Sequence, residues 1–152
     1  MHKAYVSFRY HRKRQRFFDL LDKLTKAFTV LLGATLIGES LKFDVPLFAS
    51  GISLLGLLSL VFGYGDRKQA HKELAETAML LAGEIEEATA RALSDQLAGK
   101  WEASLAKLNA KEPPALKTLV IICEHEQAVS TGHPDHIRLP GWWRRFISDF
   151  IP

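Results

Sequence analysis

The chain has 152 residues, of which 47% are hydrophobic and 24% charged, with a formal net charge of +3. That length holds one domain with a modest core, and a single cysteine, Cys123, excludes an internal disulfide framework and a cysteine-based zinc site. The charge is local: residues 1–26 carry eight Lys/Arg against Asp19 and Asp22, so the composition as a whole does not describe a nucleic-acid binder.

Mean hydropathy is −0.01, high for a chain this rich in charge. Apolar residues must therefore be concentrated somewhere, and they are, between residues 27 and 65. The first segment, residues 3–26, reads as a helix, because Tyr10, Phe17, Phe18, Leu21 and Leu24 recur at helical spacing among basic residues. A basic helix with aromatics can lie on an anionic membrane, bind nucleic acid, or flank a membrane span on its cytoplasmic side. An uncharged run follows at once, which favours the third use. Arg9, Arg12, Lys13, Arg14 and Arg16 are accordingly assigned to a membrane surface, and no nucleic-acid partner is expected. The long basic stretch and late apolar run do not follow the pattern of a secretory leader.

Residues 27–38 are uncharged but too short to span alone. Lys26 can snorkel, and Leu41 and Phe43 add apolar area beyond Glu39, which gives a first, weaker span over 24–42. Glu39, Lys42 and Asp44 make a tight polar connection, and Pro46 opens the next helix where its missing N–H costs nothing.

Residues 45–65 form a 21-residue run without a charge. As a helix it reaches about 31 Å, the thickness of a bilayer's hydrocarbon core. This predicts a transmembrane helix; the alternative is the buried core helix of a soluble protein. Ser53, Gly56, Ser59 and Gly63 share one face, and the first span offers Thr29, Gly33, Ala34 and Gly38. Small residues let helix backbones approach closely in lipid, so the two spans are expected to pair as a hairpin over 24–65. The basic flanks, with Arg67 and Lys68 following the second span, place both termini in the cytoplasm.

Residues 66–112 read as one long helix. Leu74, Ala78, Leu81, Ile85, Ala88 and Ala92 form a heptad-like seam, and Leu93, Leu97, Trp101, Leu105 and Leu108 carry a stripe onward. Gly83 and Gly99 are its weak points, and Pro113-Pro114 ends it. The remaining residues, 113–152, hold a helix over 114–129 and a tail. Leu116, Leu119, Val120, Cys123 and Gln127 form the helix's inner face. The loop STGHPDH follows by its Gly, Pro and Asp content. The tail LPGWWRRFISDFIP has two readings: a membrane-interface segment, from paired Trp beside Arg, or a cap on the helical core.

Chemistry is thinly represented. Glu124, His125, Glu126, His133, Asp135 and His136 are metal-ligand types, but their spacing matches no familiar site, and a helix-end loop collects such residues for local reasons. No metal or cofactor is expected. Cys123 lies on an apolar face and reads as core. No Gly-x-Ser-x-Gly, Walker or Gly-x-Gly-x-x-Gly motif occurs, so no catalytic residue is assigned and the chain is not expected to be an enzyme. Glu39 marks a span border, where a carboxylate can also serve a pore mouth; Tyr64 and His71 flank the cytoplasmic end of the second span.

Taken together, the pattern is all-α: a two-span transmembrane helical hairpin with long cytoplasmic helices. The basic entry Tyr10-His11-Arg12-Lys13-Arg14, the hairpin with a short outer loop, and the long helix beyond it resemble the SLATT domains over roughly residues 3–110. These are two-transmembrane effector modules of bacterial nucleotide-signalling and defence operons. The resemblance implies an oligomeric inner-membrane effector that perforates or depolarises the membrane when a cytoplasmic sensor signals, with no catalytic residues to carry over. Residues 113–152 need not belong to that shared module. Two other readings remain open: a membrane anchor that recruits a cytoplasmic partner, and a holin-like phage release protein.

Overall fold

A computed structural model describes residues 1–37, 45–89, 94–112 and 114–149, and of 35–37, 45–48 and 89 the backbone only. The connection through Glu39, Lys42 and Asp44, and with it Gly38, lies outside the described residues, as do Ala92, Leu93 and Pro113. Among the described residues six α-helices follow in order: α1 (His2–Ile37), α2 (Val45–Phe62), α3 (Tyr64–Thr89), α4 (Asp95–Lys111), α5 (Lys117–Ser130) and the short α6 (Trp142–Phe146). A 3-10 turn, Pro134–His136, lies between the last two. Among the described residues there is no strand, and the chain is all-α.

The basic entry and the first apolar run form one uninterrupted helix, α1, because no Gly-Pro punctuation separates them. Residues 66–112, by contrast, hold two helices. Ser94 has extended backbone (φ −118°, ψ 150°) and its hydroxyl accepts from the N–H of Leu97 at 3.4 Å. A serine N-cap followed by Asp95 starts a new helix rather than continuing an old one. A second break falls at Gly63, whose φ of +54° lies in the left-handed region that glycine enters at little cost. The helical ladder is carried past it: Gly63 N–H donates to Ser59 O (3.1 Å) and Gly63 O accepts from Arg67 N–H (3.0 Å).

The chain divides into two compact units. The first comprises residues 1–14 and 71–152. Its core has two clusters that share α1. Val6 and Tyr10 pack on Leu119 and Cys123 of α5, flanked by Leu116 and Val120. Phe8 packs on Leu74 and Ala78 of α3 and Leu108 of α4. Along α3 the seam Leu74, Ala78, Leu81 and Ile85 is buried together with Ala75 and Ala82; the alanines allow neighbouring helices to come close. At the end of α5, Gly132 (φ +81°) turns the chain and His133 N–H returns to Ala128 O at 2.8 Å, a glycine-terminated helix end.

The second unit comprises residues 15–70. It contains the rest of α1, all of α2 and the start of α3. Its polar end is a set of ion pairs: Asp19 with Lys23 (2.7 Å) and Lys68 (2.9 Å), and Asp22 with Lys26 (2.7 Å). Hydrogen bonds from Lys23 first, and then Lys68, hold the Asp19 carboxyl at about 2. Arg67 lies over the buried Phe18 ring at 5.9 Å, a cation–π contact.

Cys123 is fully buried, and that burial pushes its thiol up to about 12. A thiol held neutral and out of solvent does not react. The folded chain in mild detergent should therefore resist maleimide at mildly alkaline pH and take up one equivalent only after denaturation in SDS. Full labelling before denaturation would show the core to be open.

Candidate functional site

Two features of the molecule bear on function: an apolar surface left exposed among the described residues, and a buried polar cluster. The helical run Ala49–Ala88 is long and apolar enough to cross a membrane, with an 18-residue window of mean hydropathy 1.3, none of it buried. On α2, Leu54, Leu57, Leu60 and Val61 are 57–81% exposed. On α1, Phe28, Val30 and Leu31 are exposed as well. Soluble monomers rarely leave contiguous apolar surface of this kind in water.

Three hydroxyls within these segments are satisfied by their own helix. Thr25 Oγ1 donates to Leu21 O (2.8 Å), Thr29 Oγ1 to Thr25 O (2.9 Å), and Ser53 Oγ to Ala49 O (3.0 Å). Each hydroxyl folds back on its own helix one turn earlier, as a hydroxyl must where no water is at hand.

Gly33 and Gly56 have open space beside them, whereas Gly51 lies against α1. A methyl group added at Gly33 or Gly56 would meet nothing within 4 Å; at Gly51 it would meet Leu32 at 3.7 Å. Thr29, Gly56 and Ser59 instead line an open groove of about 460 Å³ with Thr25, Lys26, Val30 and Leu60. Gly63 sits at the α2–α3 junction, Ala34 is exposed, and Gly38 is outside the described residues.

The basic residues assigned to a membrane surface divide into two groups. Arg9 Nε donates to Gln127 Oε1 (2.9 Å) and Lys13 pairs with Glu126 (2.8 Å), both on α5. Arg14 Nη1 donates to the carbonyl of Asp149 (2.8 Å). Lys68 pairs with Asp19, and Arg67 covers Phe18. Arg12 and Arg16 are exposed.

The buried cluster is the feature that sequence reasoning missed. His11 of α1 is 0% exposed and His71 of α3 is 4% exposed. Their Nδ1 atoms meet at 2.8 Å. His11 Nε2 contacts the Glu112 carboxylate at the end of α4, and Ser7 Oγ donates to the same carboxylate oxygen at 3.0 Å. The Tyr10 ring stands edge-on to His11, its centroid 5.2 Å away. Tyr10 Oη accepts from the N–H of Leu116 (3.2 Å), and burial raises its phenol above the ordinary value.

The proton count follows from the contacts. Burial alone would push the Glu112 carboxyl up, but the His11 hydrogen bond and charge, with Ser7 helping, outweigh it and hold the carboxyl below its usual value. The carboxylate can only accept, so His11 Nε2 donates. The facing Nδ1 atoms then share one proton, one ring donating and the other accepting. Two imidazole nitrogens on one tetrahedral metal ion lie about 3.3 Å apart, so the shorter spacing suits a proton. A cavity of about 330 Å³, lined in part by Ser7, Tyr10, Asn109, Glu112 and Glu124, opens onto the carboxylate.

The signal for this cluster lay in the seams. Ala4, His11 and Phe18 are spaced by seven and are all buried, and His71 lies three residues before Leu74 on the α3 seam. The other histidine group does not assemble: among the described residues no three His, Cys, Asp or Glu side chains are placed to hold a metal. His125 Nδ1 donates to Ile137 O (2.6 Å), which fixes the loop, while the His133 and His136 rings meet edge to face at 5.3 Å. No protein-family model, curated protein or solved structure matches the chain.

Two variants test the cluster. His71→Phe leaves His11 Nδ1 buried without its partner and should cost about 1–3 kcal/mol of stability. Glu112→Gln should also destabilise, and it should change the response to acid. Because the folded Glu112 carboxyl is lowered, its contribution is present above the unfolded carboxyl value and is lost as pH falls through the folded one. The wild type should therefore lose more stability than Glu112→Gln on acidification below about pH 4.3, the unperturbed glutamate value. Equal acid sensitivity in thermal melts would remove Glu112 from the account.

Proposed function

We propose that the chain is a bacterial inner-membrane protein with two spans and cytoplasmic termini, acting as an oligomeric effector that disrupts or perforates the membrane. The observation that carries the membrane placement is the exposed apolar surface of α2, where the Ser53 hydroxyl is satisfied within its own helix. Lipid is the environment in which such a surface is stable. The resemblance of residues 3–110 to the SLATT domains supplies the effector role and a sensing partner in the cytoplasm. The open groove at Thr29, Gly56 and Ser59 supports self-association, because small residues facing lipid are where another helix packs.

A second reading is favoured by a specific observation. The hydroxyls of Thr25, Thr29 and Ser53 are all turned inward to backbone carbonyls, so these groups offer a pore little to line it with. Under that reading the spans anchor the helical unit for a partner and conduct nothing.

Induced expression in a bacterial host, followed with a potential-sensitive dye, separates the two. The effector reading expects collapse of membrane potential. It also expects Gly56→Leu, which fills the groove, to abolish that collapse while the protein stays in the membrane fraction. Normal potential and growth under strong induction, with and without a triggering partner, would overturn the effector reading and leave the anchor.

A further inference from the structure

The C-terminal tail had two readings from composition, and side-chain placement bears directly on the choice. Were the tail a cap on the core, its large aromatics would be buried. They are not: Trp142 is 68% exposed, Trp143 62% and Phe146 74%. The two indole rings stack on each other at 4.2 Å rather than on the helices behind them. The residues that turn inward are small or aliphatic: Ser148 is buried and Ile147 half-buried.

The segment is nevertheless held firmly. At its start, the carbonyl of Ile137 accepts from His125 at 2.6 Å. At its end, the carbonyl of Asp149 accepts from Arg14 at 2.8 Å. Between these two anchors the chain carries Arg138, Arg144 and Arg145, all exposed, and no acidic residue. Among the described residues none of the three makes an ion pair.

We propose that this segment is a second membrane contact, a docking surface for the anionic headgroup layer of a phospholipid bilayer. It rests on the membrane placement proposed above and deepens it. Indole rings prefer the zone where an apolar body meets water, and arginines beside them find lipid phosphates there. The charge complementarity selects anionic lipid. Clamping at both ends means the aromatics are presented ready-made, so little ordering entropy opposes docking. Inserting them also removes two Trp and one Phe from water.

The test uses the full chain in lipid nanodiscs made from phosphatidylcholine alone or mixed with phosphatidylglycerol, with brominated acyl chains as quencher. Trp101→Phe leaves Trp142 and Trp143 as the emitters. The inference expects blue-shifted, bromolipid-quenched emission in the anionic discs. Arg144→Gln with Arg145→Gln should weaken docking by about twenty-five-fold, since each arginine near an anionic surface is worth about five-fold, and most of the quenching should go. A reporter Leu57→Trp, in a chain whose three native tryptophans are Phe, reads insertion of α2 separately. If that reporter is quenched while Trp142 and Trp143 emit as in water, the docking inference fails and the membrane placement stands. If the reporter itself is unquenched, the membrane placement fails and docking falls with it. Equal quenching of Trp142 and Trp143 in both lipids, insensitive to the arginine changes, would overturn the choice of anionic lipid.

Discussion

One proton shared between two buried rings sets the packing of the larger unit. His11 and His71 face each other at 2.8 Å in a site that water does not reach, and Glu112 holds the far side of His11. Apolar seams alone tolerate slippage by a heptad, since leucine and alanine pack against one another in several registers. A polar residue at a seam position does not, because any other register leaves it buried and unsatisfied. The cluster joins α1, α3 and the end of α4 in a single hydrogen-bonded chain, and the apolar clusters flank it: Phe8 with Leu74 on one side, Tyr10 with Cys123 on the other. That arrangement explains why α1 can serve both clusters without an apolar residue on every buried turn.

The smaller unit obeys a different constraint. It has only one large buried apolar side chain among its described residues, Phe18. Its organisation comes from the polar end, where Asp19 bridges Lys23 and Lys68, and from hydroxyls satisfied within the helix. In water such a unit would leave its apolar surface unpaid for. In lipid the same surface needs no partner, and the requirement moves to the backbone and hydroxyl groups, which Thr25, Thr29 and Ser53 meet within their own helices. Gly63 separates the two regimes: α2 is apolar and uncovered, whereas α3 carries alternating charged and seam positions.

The helical class, the uncharged run and the α3 seam were legible in the sequence because each is a local pattern with its own period. The division of 66–112 was less so: Ser94-Asp95 is a cap signature, but it competes with an apolar stripe that resumes after a shift on the far side. The histidine cluster was hidden for another reason. His11, His71 and Glu112 come from three distant segments, and nothing in local spacing announces that they meet. Only extending the seams back to Ala4–His11–Phe18 and His71–Leu74 reveals that each histidine sits where an apolar residue is due. The tail illustrates the same limit, since composition alone could not say whether Trp142 and Trp143 face inward or outward.

The basic N-terminal segment shows how one set of charges can serve two stages. Arg9, Lys13 and Arg14 contact Gln127, Glu126 and Asp149, partners more than a hundred residues later in the chain. If the hairpin inserts as proposed, these partners do not yet exist when the spans enter the membrane, because synthesis runs from the N-terminus. At that stage the cations stand uncompensated and bias orientation, which responds to Lys and Arg count rather than net charge. Once α5 and the tail are made, the same side chains become internal cross-links of the larger unit. Neutralising them would then act twice, on topology early and on folding late, whereas removing Glu126 would act only on folding. The order of synthesis therefore separates two roles that a static contact map superimposes.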